Sequence, residues 1–582
     1  MAAAVLPLFL SLSSCTGSIN EGQQTQTVIG PDGKPMQVPV GNPPTGNPPT
    51  GNPPTGTPTT PVGMNSPVNA LAPFDSAPST SSRFLRLNHT QWENTVRELL
   101  KLPSSGVSER FITEPRRSAF DTNGGVLTVS QDLWTDYRGA AETLATKVSR
   151  DAKLLAAIAP AAQGDVAARG KAFIQSFGQR AFRRPLTDAE VTRYATLFAK
   201  GPMLVASMDA FADGVELVIG AMLQSPNFLY RIETSDKATN GKIALNDYEV
   251  ASRLSYGLLN SMPDEALFAA AAAKKLSTRD GVLEQAKRLI ATPGAQTTLV
   301  NFHDQLLRMG GYDSIKKENP LFPTGIGADI KQEALTFAKD VVFTQGKGFN
   351  ELMTGAYTFA NARVAKIYGV TAAGAADQYN RVALPEKERA GLLTQIGFLT
   401  ATSEGSLPNS IIRGVHIAED VLCLHLPPPP DNVPALTDAP ALPTNRLRVE
   451  ALTKDAACSA CHASIINPLG FAFENFDGLG KYRTAESNGQ PIDATGTLNL
   501  DGQQVPYNGA VTFIKAIAGS KQANECYAQK LAEYVYGREV NTSSEADKKL
   551  VAELGSRSKN NVSVKDLVLN LVATDAFLTR LP

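Results

Sequence analysis

Cysteine and histidine side chains stand in the order Cys-x-x-Cys-His at Cys458, Cys461 and His462. This order is the attachment signature of c-type haem. Cysteines three positions apart lie on adjacent turns of a short helix, so both thiols can add to the haem vinyl groups while the next residue offers its imidazole to the iron. The motif therefore predicts one covalent haem c, with His462 as the proximal iron ligand.

Three other interpretations of the motif stay open: a zinc half-site, a thioredoxin-like redox pair and an inert pair. Zinc needs two further ligands, and the sequence has no second Cys-x-x-Cys and no His-x₃₋₅-His to supply them. A thioredoxin-like pair sits at the end of a strand in a βαβ unit, whereas Ala-rich helical sequence precedes this motif and Asn467-Pro468-Leu469-Gly470 follows it. Haem attachment is the interpretation that the surrounding sequence favours.

The second axial ligand decides what a haem does: two strong ligands favour electron transfer, and an open position allows dioxygen or peroxide to bind. No methionine follows Met353 and no histidine follows His462, so a strong second ligand must come from upstream. His416 and His425 are nearest in sequence and are the candidate distal ligands; the alternative is that they are ordinary surface or helix-terminal residues. Lysine, tyrosine or water remains possible. The other candidates are expected to act as caps or packing residues: His89, His303, Met309 and Met353.

The first residues form a short apolar run from Ala2 to Leu12, followed by Ser13-Ser14-Cys15. The run is too short to span a bilayer and is typical of a signal-peptide core. The segment resembles the lipobox of bacterial lipoproteins, in which Cys15 would be lipidated and become the mature N-terminus. One departure from that pattern is that no Lys or Arg precedes the run. No other segment reaches 18 uncharged apolar residues, so nothing else is expected to span a membrane.

Cys423 and Cys526 are left over once Cys15 and the motif pair are assigned. In an oxidising compartment, an even remainder predicts a disulfide. This one would close a loop around the whole motif, and in the chain-entropy treatment it would contribute on the order of 4 kcal/mol.

Charged residues are balanced, with 55 Lys and Arg against 56 Asp and Glu and a net charge of −1. This balance argues against a general nucleic-acid-binding protein, which carries a marked basic excess. We expect the basic cluster of Arg180, Arg183 and Arg184 to be a solvated helix end. We expect Glu474 and Asp477 to be solvated as well; the alternative is that they form hydrogen bonds, either on the propionate side of a haem or within the protein.

The chain predicts a mainly α fold: a multi-module helical body with a C-terminal cytochrome c-like haem module and a minor β hairpin. Apolar residues recur at helical spacing from Arg83 onward, with N-cap signals such as Asn88 or Thr90 and the capping box from Thr187 to Glu190. The only clear β signal is the turn-rich segment 493–502. The predicted division is a lipoprotein signal peptide (1–15), a disordered Pro/Gly/Thr-rich spacer with Gly-Asn-Pro-Pro-Thr repeats (16–82), an N-terminal helical domain (83–235), a second helical domain (236–325), a third helical domain ending in a proline-rich loop (326–445) and a haem c module with C-terminal helices (446–582).

Six separated segments carry a family resemblance. They are Leu-Asn-x-x-x-Trp-x-Asn-Thr-Val-Arg-Glu-Leu-Leu at 87–100, Ala-Phe-Arg-Arg-Pro-Leu at 181–186, Pro-Asp-Glu-Ala-Leu at 263–267, Arg-Gly at 413–414 with the prolines 427–430, the motif with Pro-Leu-Gly-Phe-Ala-Phe-Glu-Asn-Phe-Asp at 468–477, and Tyr-Val-Tyr-Gly-Arg-Glu at 534–539. Together they resemble exported bacterial planctomycete-type cytochrome proteins, which are concatenated domains of unknown function around a single C-terminal c-type haem motif. The resemblance covers about 83–582. It implies haem binding through Cys458, Cys461 and His462 and an exported setting, and it brings no known reaction.

The expected function is an exported, lipid-anchored monohaem c-type cytochrome-like protein that mediates electron transfer at the cell envelope. Its partners would be redox proteins and, through the anchor, a membrane, with no nucleic acid; the expected location is the periplasmic or cell-surface side of the outer membrane. One alternative is a haem-dependent oxidoreductase, peroxidase-like or polymer-oxidising, with an open iron position. Another is a scaffold or binding protein with a structural haem. Whether the protein is an enzyme is left open by the sequence.

Overall fold

The computed structural model describes residues 25–29, 35–39, 74, 76–114, 119–159, 164–429 and 441–582. These residues belong to two units, one within 1–66 and one within 67–582. Helices dominate the second unit, and its strands are short and antiparallel. The predicted fold class, mainly α with minor β, is confirmed. Across these ranges, no helix combines the length and the apolar character that crossing a bilayer requires.

The first unit contains two antiparallel strands, β1 (Thr25–Ile29) and β2 (Pro35–Pro39), with Thr27 aligned to Gln37. Both strands lie inside the segment predicted as a spacer. The predicted signal peptide with Cys15 and the Gly-Asn-Pro-Pro-Thr repeats lie outside the described residues, so the anchor and the spacer stay predictions.

The second unit opens with helices around a core that contains Trp92, which is fully buried. Asn88 caps the first helix by accepting a hydrogen bond from the backbone N–H of Gln91 (2.7 Å), one of the two caps that the sequence predicts. The elements of this part are β3 (Phe84–Arg86), α1 (His89–Leu100), α2 (Gln131–Arg150), α3 (Ala152–Ile158), α4 (Val166–Phe182), α5 (Asp188–Phe198), α6 (Gly201–Leu204), α7 (Ala210–Leu223), α8 (Pro226–Leu229) and β4 (Tyr230–Ile232). Strand β3 pairs with β4, so the start of this part is fixed to its end.

The next part continues the helical pattern with one interruption that the sequence does not predict. Its elements are β5 (Ala238–Thr239), β6 (Lys242–Ala244), α9 (Asp247–Leu259), α10 (Glu265–Ala272), α11 (Arg279–Ile290), α12 (Pro293–Leu306), α13 (Ile326–Lys339), α14 (Phe349–Thr354), β7 (Tyr357–Ala360), α15 (Ala362–Tyr368) and β8 (Asn380–Ala383). The apolar pattern from 349 to 368 predicts one helix, but β7 divides it and pairs with β8. Tyr, Thr and Phe favour extended backbone, and Asn361 then caps α15.

The last part carries the motif and returns the chain to the second part. Its elements are α16 (Ile396–Ala401), β9 (Ser403–Glu404), β10 (Leu407–Pro408), α17 (Ser410–His416), α18 (Asn445–Leu452), α19 (Ala456–Cys461), α20 (Asn467–Phe471), β11 (Thr495–Leu500), β12 (Gln503–Asn508), α21 (Gly509–Gly519), α22 (Lys521–Tyr536), α23 (Glu545–Lys559), α24 (Val564–Val572), α25 (Asp575–Leu578) and β13 (Thr579–Arg580). The β11–β12 hairpin is the predicted β element. Strand β13 pairs with β6, which ties the C-terminal residues to the second part.

One buried core includes residues from Leu245 to Phe577, together with Phe120 from the first part, and therefore links the second part to the last. A separate core lies between Leu87 and Met262. The domain boundaries predicted at 235, 325 and 445 stay predictions. Two domains that are separate in sequence can share one core, so a shared core does not test where they divide.

A disulfide joins Cys423 to Cys526, as the sequence predicts. Cys526 lies in α22, and Cys423 follows the π-helical turn Ile417–Val421 that continues α17. The two ends of the loop that contains the motif are therefore covalently connected.

The prediction that the basic cluster at the end of α4 is solvated is wrong for Arg183, which is 3% exposed. Its Nη2 donates hydrogen bonds to three backbone carbonyl oxygens, those of Asn227, Phe228 and Tyr230 (2.7, 3.0 and 2.7 Å). Since these acceptors belong to α8 and the first residue of β4, more than forty residues downstream, the local sequence could not reveal them.

Glu333 is a fully buried carboxyl group in α13. Its Oε1 accepts hydrogen bonds from Thr358 Oγ1 and Tyr368 Oη, both at 2.6 Å, while Oε2 has no protein donor. Burial is the main cause that raises the pKa of Glu333 to about 7. The folded protein therefore holds a proton on Glu333 in a pH range where the unfolded chain has lost it.

This raised pKa predicts that stability falls as pH rises. The contribution of Glu333 is fully present below the pKa of the unfolded chain and is lost as pH rises through about 7. We expect the free energy of unfolding of the wild type to fall, relative to that of Glu333→Gln, by about 3 kcal/mol between pH 4 and pH 8. Urea unfolding at both pH values measures this difference. Glu265→Gln, whose side chain is 90% exposed, is the control and should keep the wild-type pH dependence; an unchanged slope in Glu333→Gln would refute the assignment.

Candidate haem-attachment site

The motif lies on a short helix at the surface. Cys458 and Cys461 belong to α19, and His462 begins a π-helical turn that runs to Ile466 and continues into α20. Both cysteines and His462 are half-buried, and the two thiols are not joined to each other. The exposed residues of α19 and of the π-helical turn are small: Ala456, Ala457, Ala460, Ala463 and Ser464. Both cysteines therefore keep part of their surface open to solvent.

Hydrogen bonds fix the imidazole of His462 in one tautomer. His462 Nδ1 lies 3.1 Å from Asn467 Oδ1, and Asn467 Nδ2 donates to Thr453 Oγ1 at 2.9 Å. The hydroxyl of Thr453 in turn donates to the backbone oxygen of Val449 at 2.8 Å. Since the hydroxyl proton of Thr453 is used on Val449, Thr453 must accept from Asn467, and the amide oxygen must then accept from Nδ1–H. This order leaves the lone pair of Nε2 free.

The residues present fit a c-type haem. Metal-binding histidines characteristically donate their second ring N–H to an oxygen acceptor, which orients the ring and increases its basicity. His462 shows this pattern, and the two half-buried thiols precede it on the same helix. Among the residues that the structure describes, no group of three or more His, Cys, Asp or Glu side chains forms a conventional metal site.

Two glycines let α17 cross the motif segment at very short range. A side chain at Gly414 would overlap the backbone oxygen of Ile466, and one at Gly470 would overlap the backbone oxygen of Ser410. In both places the nearest atoms are backbone atoms of the other segment. A side chain at either glycine would therefore push the two backbones apart. The segment from His462 to α20 is therefore held in position by α17.

Beneath this crossing lies a buried carboxyl group, Glu474, which is 1% exposed. It accepts hydrogen bonds from Ser410 Oγ and, at 3.0 and 3.1 Å, from Asn445 Nδ2. Burial is the largest cause that raises the pKa of Glu474. The expectation that Glu474 is solvated is wrong, because partners from α17 and α18 surround it. Asp477, which is half-buried, accepts from the backbone N–H groups of the turn that follows it.

Arg413 is the residue of this site that sequence reasoning missed. It is fully buried in α17, and it donates through Nη1 to the backbone oxygen of Phe473 (3.0 Å) and through Nη2 to that of Leu399 (3.1 Å). Burial lowers the pKa of Arg413 to about 10, so it stays charged at neutral pH. Arg413 thus joins α16 to the segment that follows α20. The sequence feature that could have revealed Arg413 is the Arg-Gly pair at 413–414. It places the cation next to Gly414, which packs against the backbone of Ile466.

A cleft of about 440 Å³ lies beside the motif face. Its wall includes Ser459, Ala463 and Asn467 from the motif segment, together with Arg446 and Tyr507. Neither cysteine nor His462 belongs to that wall. Cys458, Cys461 and His462 therefore lie beside the cleft and do not line it.

The recorded contacts of His416, the first candidate distal ligand, are with residues outside the motif. His416 Nδ1 lies 3.2 Å from Asp420 Oδ2, and His416 lines a different cleft, which contains no motif residue. Positions 414 and 416 are about 200° apart around a helix, so His416 lies opposite the face of α17 on which Gly414 meets Ile466. His425 is exposed. Their role as ligands stays a prediction.

His303, Met309 and Met353 have the packing roles that the sequence predicts. His303 is 1% exposed, its two ring nitrogens lie 2.7 Å from the backbone oxygen of Leu299 and 3.0 Å from Tyr527 Oη, and burial lowers its pKa to about 4. Burial also lowers the pKa of His89 to about 4. The two methionines are core residues at 1% and 3% exposure: Met309 and Met353.

Five protein-family models match the chain one after another, each described as a protein of unknown function. They are DUF1587 (85–150), DUF1595 (169–233), DUF1592 (245–370), DUF1588 (389–486) and DUF1585 (502–577). No curated protein and no solved structure matches the chain. The DUF1588 model, named PSCyt3, covers the motif. The chain is therefore a concatenation of planctomycete-type domains of unknown function, in agreement with the resemblance, and the domain that carries the motif is cytochrome-like by name.

Proposed function

We propose that this protein is an exported, lipid-anchored monohaem c-type cytochrome-like protein that transfers electrons between partner proteins at the cell envelope. The observation that carries the proposal is the hydrogen-bond relay from His462 through Asn467 and Thr453 to Val449, which leaves Nε2 free. A relay of this kind is what an imidazole ligand of a metal requires. The cytochrome-like name of the matching domain supports the same conclusion.

Cys458 and Cys461 would hold the haem through their sulfur atoms, and His462 would bind the iron through Nε2. When bound, a haem supplies reversible one-electron chemistry at iron. The protein's part is to orient the imidazole through Asn467 and to hold the motif segment against α17 through Gly414. Because the helix around the thiols is exposed and made of small residues, a partner protein can approach this side closely.

Export and anchoring belong to the same proposal and rest on the sequence. The apolar run before Cys15 supports a lipoprotein signal, and the repeat-rich segment after it supports a tether. The disulfide between Cys423 and Cys526 is consistent with an oxidising compartment. Radioactive palmitate should label the wild type and not Cys15→Ala. Equal labelling of the two proteins would remove the lipid anchor from the proposal.

A second candidate is a haem-dependent oxidoreductase with an open iron position. It is favoured by the position of His416 on the face of α17 opposite Gly414 and by the burial of Met309 and Met353 in the core. Spectra separate the two candidates. A low-spin ferric spectrum that is indifferent to cyanide supports electron transfer, and loss of that spectrum in His416→Ala or His425→Ala would identify the distal ligand. A high-spin iron that binds cyanide and reacts with peroxide supports the enzyme.

Haem attachment is tested by expression in a host equipped for cytochrome maturation. We expect the wild type to keep haem through denaturing electrophoresis and Cys458→Ala/Cys461→Ala to lose it, since the thioether bonds need both sulfur atoms. Ser459→Ala, on the same helix, is the control and should keep the haem. A colourless wild-type protein of unmodified mass would overturn the proposal.

The relay is tested by Asn467→Leu, which removes the acceptor at Nδ1. We expect this variant to keep its covalent haem. Added imidazole should displace His462 from the iron at a concentration 10–100-fold lower than in the wild type, the usual effect of deleting such a partner. Absorption spectra during an imidazole titration measure the change. Asn488→Leu, an exposed asparagine that bonds a loop carbonyl, should behave as the wild type. Equal titrations for all three proteins would contradict the role of Asn467.

A further inference from the structure

A small cavity lies far from the motif in sequence, where the start of the second unit meets its C-terminal helices. Its volume is about 20 Å³, which is the space for one particle about the size of a water molecule. The wall contains three arginines and no acidic residue: Arg231 on β4, Arg253 on α9 and Arg538 after α22. Ser79 and Phe577 complete it from the two ends of the unit.

Arg231 is the unusual member of this wall. It is 7% exposed, and its Nε and Nη2 are buried atoms without a protein acceptor. Across the described ranges it forms no ion pair, and its only ring contact is with Tyr256, with Cζ 5.2 Å from the ring centroid. Buried donors without acceptors are rare in native proteins and commonly mark an ion or a water.

The neighbouring arginines already have acceptors. Arg253 Nε donates to Glu233 at 2.6 Å, and Arg538 forms two bonds to Asp547 at 3.0 and 2.9 Å. Glu233 also lies 3.6 Å from Arg580 Nε. Glu233 also attracts Arg231 by charge, so one carboxylate serves three arginines, and none of them has it to itself.

The charge balance favours an anion over water. Water would accept from the free donors but would add no negative charge to a buried cluster in which Glu233 alone faces Arg231, Arg253 and Arg580, and excess buried charge is costly. Burial is the largest cause that lowers the pKa of Arg231 to about 10; Tyr256 and Glu233 act in the opposite direction, and the like charges on Arg183 and Arg253 lower it further. The backbone of Gly537 lies against the guanidinium, with a left-handed φ of +65°, and a Cβ there would stand 2.9 Å from Nη2.

We propose that this cavity binds a monatomic anion of the size of chloride, held by Nε and Nη2 of Arg231. A single small anion suits the cavity, whose accessible volume is about 20 Å³. The anion would join β4 to the C-terminal helices and so stabilise the contact between the two ends of the unit. This site is independent of the haem proposal.

The test compares thermal unfolding in sodium chloride and in sodium gluconate at equal ionic strength, which removes general screening from the comparison. We expect chloride to raise the Tm of the wild type by about 2 °C or more. Arg231→Gln should lose this difference, while Arg184→Gln, a half-buried arginine already paired with Glu190, should keep it.

A second measurement needs no variant. Chloride exchanging with the site should broaden the ³⁵Cl NMR line of the wild-type solution, and bromide should reverse the broadening by competition. Broadening and a chloride-specific Tm shift support the proposal. A line width unaffected by the protein, or equal stabilisation by sulfate, would overturn it and leave water or a larger ion as the occupant.

Discussion

Replacing Arg413 with methionine is expected to lower the free energy of unfolding by about 3–5 kcal/mol. Methionine fills much of the space, but it offers no donor to the carbonyl oxygens of Phe473 and Leu399, which then stay buried without a partner. Weaker bonds to Phe476 and Asp477 are lost as well (3.3 and 3.4 Å). Urea unfolding of the haem-free protein, followed by circular dichroism, measures the loss.

Two further variants show that position and geometry cause the effect. Arg413→Lys keeps the charge, but a single ammonium group cannot reach the acceptors of both Nη1 and Nη2, so we expect a loss between those of wild type and methionine. Arg288→Met removes an arginine paired with Asp264 at the surface (2.7 Å, 35% and 40% exposed) and should cost no more than about 1 kcal/mol. Equal losses at positions 413 and 288 would show that Arg413 has no special role.

Arg413 also shows where sequence analysis reaches its limit. Helix starts depend on neighbouring residues, so the cap at Asn88 and the capping box from Thr187 to Glu190 were predictable, and the structure contains both. The acceptors of Arg413 and Arg183 come from other segments, and nothing in the local sequence distinguishes a buried arginine from a solvated one.

The strand β7 was missed for a related reason. Four residues, Tyr357–Ala360, are too few to establish a period of two against the helical pattern on either side. Their extended conformation is settled by pairing with β8, twenty residues further on.

The candidate site divides in the same way. The motif itself is local, and it identified Cys458, Cys461 and His462 directly from the sequence. The relay partner Asn467 is five residues away from His462, but its role depends on Thr453, which belongs to the end of the preceding helix. The buried acceptor Glu474 was misjudged because Ser410 and Asn445 supply its donors. The chemistry of the motif was therefore predictable, and the support that orients it was not.

Removing the disulfide in Cys423→Ala/Cys526→Ala is expected to lower the free energy of unfolding by about 4–5 kcal/mol. The two cysteines are 103 positions apart, and a cross-link over a loop of this length restricts the unfolded chain by about 4.7 kcal/mol in the chain-entropy treatment. Both substitutions are small, and only Cys526 is buried in the core (2% exposed), so lost packing adds little. Urea unfolding of the haem-free protein without reductant measures the difference.

The control is Cys458→Ala/Cys461→Ala in the same haem-free protein, because it also removes two sulfur atoms but breaks no cross-link. We expect that variant to stay within about 0.5 kcal/mol of the wild type, as exposed or half-exposed substitutions usually do. Adding reductant should bring the wild type to the stability of Cys423→Ala/Cys526→Ala and leave that variant unchanged. If reductant left the wild type as stable as before, the loop around the motif would be held by its packing against α17 and the hairpin, and the cross-link would be dispensable.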